Sequence, residues 1–116
     1  MFKSVEFEGF DRYPERVAMA ERIIPVLEGE IRTWRDDVIV SWRPGPTSTA
    51  PLILNLELTL SNGSSSSESG FIMADDVKEE SRLRWKCRQI WGSLLDSLLG
   101  QLTKKLDAFI AQPLEV

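Results

Sequence analysis

Apolar side chains recur along this chain with two different periods. From Asp75 to Gln112 the period is helical: at 100° per residue, Leu83, Cys87, Ile90, Trp91, Leu94, Leu95, Leu98, Leu99, Leu102, Leu106, Phe109 and Ile110 share an arc of roughly 200°. This pattern predicts one long amphipathic helix closing the chain. Asp75 or Asp76 can cap its first turn, with Glu79 three residues after Asp76, and Pro113 ends it for want of an N–H. Unbroken, it would span about 55 Å at 1.5 Å per residue. A chain of this size cannot cover such a length. The helix therefore either breaks near Gly92, where glycine costs about 1 kcal/mol relative to alanine, or lays apolar surface on another chain.

Pro14 to Arg35 shows the same period. Tyr13, Val17, Ala20, Ile23, Ile24, Leu27, Ile31 and Trp34 fall on one stripe, and Pro14 suits a first turn. Pro25 stands on the polar side, where it predicts a kink.

The other period is two. Leu52, Leu54, Leu56, Leu58 and Leu60 alternate with Ile53, Asn55, Glu57 and Thr59, as in a strand with one buried face. Asp37–Trp42 is a second β-rich run, Gly70–Ala74 a third, and residues 2–10 alternate weakly enough for an edge strand or an ordered arm. RPGPTSTAP, residues 43–51, reads as a loop, and SNGSSSSESG, residues 61–70, as a flexible serine-rich connection. The expected architecture is α+β in the order (β)-α-β-β-β-α. It is a three-stranded antiparallel meander, with a possible N-terminal edge strand, covered on one face by two helices. Residues 1–116 are expected to form one domain.

Composition narrows the function classes. A hydrophobic fraction of 42% and a charged fraction of 28% are ordinary for a globular domain. The net charge of −4 disfavours a nucleic-acid or anionic-membrane binder, and no window matches a membrane span. One cysteine excludes an intrachain disulfide and suits a reducing, cytoplasmic compartment. The absence of histidine removes the commonest general base and metal ligand. Cys87, between Lys86 and Arg88, reads better as a small buried hydrophobe than as a reactive thiol. The acid pairs Asp36–Asp37, Asp75–Asp76 and Glu79–Glu80 match no spaced ligand set, and no cofactor or metal is expected.

One stretch departs from the composition of a simple core helix. RLRWKCR, residues 82–88, carries Arg82, Arg84, Lys86 and Arg88 around Trp85, with Arg84 and Arg88 on the leucine side of the wheel. Arginine beside tryptophan is typical of interface centres. The leading expectation is a non-catalytic interaction or assembly module. Its partner-binding residues would be Arg84, Trp85, Arg88, Leu95, Leu99, Leu102, Leu106, Phe109 and Ile110. The partner would be a second copy, giving a homodimer, or a component of a larger complex.

The α-β-β-β-α order resembles that of double-stranded-RNA-binding domains, which implies nucleic-acid binding as the alternative. The resemblance is one of element order. The second helix lacks a lysine-rich start, and Asp75, Asp76, Glu79 and Glu80 stand where phosphate readers need cations. A small enzyme ranks third, because no acid–base pair has a recognisable spacing.

Overall fold

The computed structural model of the chain describes the backbone of residues 1–111 and the side chains through Ala108. The elements are β1 (Ser4–Phe7), α1 (Pro14–Glu30), β2 (Val38–Pro44), β3 (Leu52–Thr59), β4 (Ser65–Ile72), α2 (Ala74–Lys78) and α3 (Glu80–Ala111), with a short 3-10 turn at Arg35–Asp37. The architecture is the expected α+β arrangement. The sheet runs β1-β2-β3-β4: β2, β3 and β4 form the antiparallel meander, and β1 joins β2 in parallel.

The period-two leucines define the core. Val38, Val40 and Trp42 on β2 and Leu52, Leu54, Leu56 and Leu58 on β3 are buried on one face. The stripe of α1 (Ala20, Ile23, Leu27) and that of α3 (Leu83, Cys87, Ile90, Leu94, Leu98) pack on that face in one cluster. The opposite face is wet, with Ser41 bonded to Glu6 and Ser69 to Asn55 across neighbouring strands.

Three boundaries differ from the sequence reading. The serine-rich run is not a ten-residue loop, because Ser65–Ile72 pairs with β3 over eight residues. A strand as long as β3 imposes a partner of equal length, and that register outweighs the weak β-propensity of serine. The connection shrinks to residues 60–64. There Gly63 takes a positive φ of 86° and the Asn62 side chain accepts a hydrogen bond from the Ser64 N–H at 2.9 Å.

The closing helix breaks at Glu79 rather than near Gly92. Glu79 is extended (φ −133°, ψ 114°) between α2 and α3, and α3 continues through Gly92 and Gly100. Asp76 Oδ2 accepts from the Met73 N–H at 3.0 Å, so the acid caps a five-residue turn instead of the long helix. Burial of Ile90, Trp91 and Leu94 beside Gly92 stabilises the helix by more than the glycine costs. The stop assigned to Gln112 and Pro113 lies outside the described residues.

The first helix ends at Glu30, not Arg35. Ile31 is extended and Trp34 is left-handed at φ 60°. Arg35 turns back to satisfy the freed carbonyls, donating from Nε to Ile31 O and from Nη2 to Glu28 O, both at 2.8 Å. Pro25 is accommodated within α1 on its exposed side.

The proline-rich segment between β2 and β3 is tied down. Arg16, buried on α1, stacks its guanidinium 4.0 Å from the Tyr13 ring centre. Its Nη1 donates to Gly45 O at 3.0 Å and to Pro51 O at 3.2 Å. Gly45 admits no side chain, since a Cβ would fall 1.7 Å from the Ala50 carbonyl oxygen.

Candidate functional site

Helix α3 has three surfaces. Leu83, Cys87, Ile90, Leu94 and Leu98 recur at i+3 and i+4 and face the sheet. One flank, with Lys86, Gln89 and Ser93, borders the β4 edge. The other flank carries Arg84, Trp85, Arg88, Leu95, Leu99, Leu102 and Leu106, and its N-terminal part meets α1.

The arginines on that flank are both engaged. Arg84 Nη2 lies 3.1 Å from Glu80 Oε1 within the helix, and Arg88 Nε lies 3.0 Å from Glu30 Oε2 on α1. Their surroundings differ. Glu80 is 65% exposed, whereas Glu30 is only 13% exposed, so Arg88 neutralises a largely desolvated carboxylate. Arg84 also lines a cleft with Pro25, Gly29 and Arg32 of the α1 end.

Beyond the reach of α1 the flank is apolar. Leu95 and Leu102 are partly buried against the core, while Leu99 and Leu106 stand 62% and 57% exposed, and Trp85 is 62% exposed at the other end. Trp85, Gly92, Leu99 and Leu106 follow one another at seven-residue intervals, with Arg88, Leu95 and Leu102 in a second file beside them. A seven-residue repeat of two files is the pattern by which one helix seats another. Phe109 continues the second file in sequence. The side chains of Phe109 and Ile110 lie outside the described residues.

The structure thus groups Arg84, Trp85, Arg88, Leu95, Leu99, Leu102 and Leu106 along one flank. It divides them by role. Arg88 is half structural, Leu95 and Leu102 are shared with the core, and Trp85, Leu99 and Leu106 face solvent.

Cys87 is fully buried, and its thiol is pushed up to about 12, first by burial and then by the charges of Glu30 and Asp76. At neutral pH it is a protonated, inert apolar group. Among the described residues no group of acids and cysteine is placed to hold a metal ion, and no helix is long and apolar enough to cross a membrane.

Two features escaped the sequence reading. Arg16, the clamp on the β2–β3 segment, looked like one more charge at the start of a helix. The β4 edge was hidden by its serines. Its only sequence signal is Asn62–Gly63, a turn-forming pair placed where a hairpin partner for Leu52–Leu60 has to begin. Comparison of this chain with family models, curated proteins and solved structures gives no match.

Proposed function

We propose that this protein is a non-catalytic interaction or assembly module that engages a protein partner through the outer flank of α3. The observation that carries the reading is the exposure of Trp85, Leu99 and Leu106, fourteen and seven residues apart in one file, on a helix already anchored by its opposite face. Large apolar side chains in register on a rigid helix are complementary to another helix or to a hydrophobic groove. A phosphate-bearing partner fits less well, because Glu80 and Glu30 already neutralise Arg84 and Arg88. The lone buried cysteine suits the cytoplasm.

The test is quantitative affinity co-purification from the source cell, comparing the wild-type chain with a Leu99→Glu, Leu106→Glu variant. Both residues are exposed, so the variant should fold normally and lose a specific partner. An unchanged set of co-purifying proteins would count against the reading.

A further inference from the structure

The sheet ends at β4, and among the described residues no strand lies beyond it. Antiparallel pairs alternate between residues that bond to each other and residues that bond outward. The Leu60 N–H bond to Ser64 O at 2.8 Å sets that alternation for the hairpin. Ser66, Glu68, Gly70 and Ile72 bond to β3, so Ser65, Ser67, Ser69 and Phe71 turn their N–H and C=O groups to the open edge. Edges of this length are ordinarily blunted by proline, a bulge or charged side chains. This one runs eight residues in unbroken register with no proline, bulge or lysine. The opposite rim, β1, is only four residues long.

The edge carries one charge of its own, Glu68, which shares a groove with Lys86 of α3. Among the described residues neither forms an ion pair within the chain.

We propose that a second copy of this chain docks on this edge, β4 against β4 antiparallel, about a two-fold axis at Ser69. The faces of the strand limit the register to axes that pass through a residue, and charge discriminates among them. An axis perpendicular to the sheet keeps both helical layers on one side, so inward residues have to lie opposite inward residues. An axis at Glu68 would oppose two carboxylates. An axis at Ser69 instead sets Glu68 opposite the partner's Gly70 and within reach of the partner's Lys86, and the contact occurs twice by symmetry.

The backbone matches that register. Ser69 meets Ser69 and Ser67 meets Phe71, all residues with outward-pointing groups, so the ladder continues across the axis. The helices match too. Ile90 lies on Gly70, Ser93 shares a groove with Ser69, and Ser97 lines the next groove along the strand with Ser67. Short serines let two α3 helices approach across the junction. This surface is independent of Trp85, Leu99 and Leu106, so the dimer does not rest on the partner-binding role of that flank.

Light scattering on the full chain should show a dimer. Ser67→Pro removes an outward N–H and no bond to β3, and should give a monomer with an unchanged circular dichroism spectrum. Glu68→Lys and Lys86→Glu should each weaken self-association about tenfold. Mixing those two variants should restore a dimer, because the mixed pair has opposite charges at both contacts. Pairing within one chain would produce no such reconstitution. A monomeric wild-type chain, a failure of the mixture to dimerise, or a dimer lost in Leu99→Glu and kept in Ser67→Pro would each overturn the proposal.

Discussion

Ile90 closes over Gly70. A Cβ at that glycine would lie 2.7 Å from Ile90 Cδ1 and 2.9 Å from Cγ1, and Ile90 is itself buried. The two residues fix how closely α3 approaches β4, and neither can be enlarged alone. Gly70→Ala should therefore destabilise the protein by about 1–2 kcal/mol, as overpacking does. Ile90→Val, which removes Cδ1, should recover part of that loss when combined with it. Denaturant melts of the two single variants and the double variant measure the coupling. Strictly additive losses would mean that the helix shifts freely on the strand.

Arg84 and Arg88 look equivalent in sequence, each a helical arginine with an acid nearby, but their removal should differ. Arg84→Ala leaves Glu80 well solvated and should change stability by less than about 0.5 kcal/mol. Arg88→Ala leaves Glu30 largely buried near Cys87 without its cation, and should cost about 1–2 kcal/mol. Thermal melts at low and high salt separate the two, and equal losses would contradict the assigned burial of Glu30. Charge reversal at Arg88 consequently mixes a folding effect into any binding experiment, which is why the exposed leucines make cleaner probes.

Cys87 should ignore thiol reagents at pH 8 in the native state and react fully once the chain is unfolded. Its ordinary value of 9.0 is raised to about 12 in the fold. Below 9 both states hold the proton, so the thiol does not alter the balance between them. Between 9 and 12 the unfolded chain releases its proton while the folded one keeps it. Stability should therefore decline as pH rises through that window. Cys87→Ala should flatten the decline, at the cost of a small cavity. Chemical denaturation repeated across the alkaline range checks both statements.

Much of the fold was legible because it is written in periodic apolar positions. The five leucines of residues 52–60 imply one wet and one dry face, and the stripe from Val17 to Leu27 implies a covering helix; both predicted contacts form. What could not be read depended on partners distant in sequence. Serine at 65, 66, 67 and 69 carries no strand preference of its own and acquires its conformation from β3. Arg16 acquires its role from two carbonyls, at Gly45 and Pro51, that its own helix does not place. In the candidate site the wheel put these residues on one side of α3, but it did not say that Leu102 is shared with the core while Leu99 is open to solvent.

The parallel pairing of β1 with β2 also governs the order in which the chain can assemble. The meander strands are joined by segments 45–51 and 60–64, so each finds its neighbour after closing a short loop. Ser4 meets Ile39 only when α1 and the 3-10 turn between them are in place. On a ribosome β1 emerges before β2 and must wait for residues through Pro44 before it has an edge to join. A strand made ahead of its partner in this way is a late arrival in the sheet.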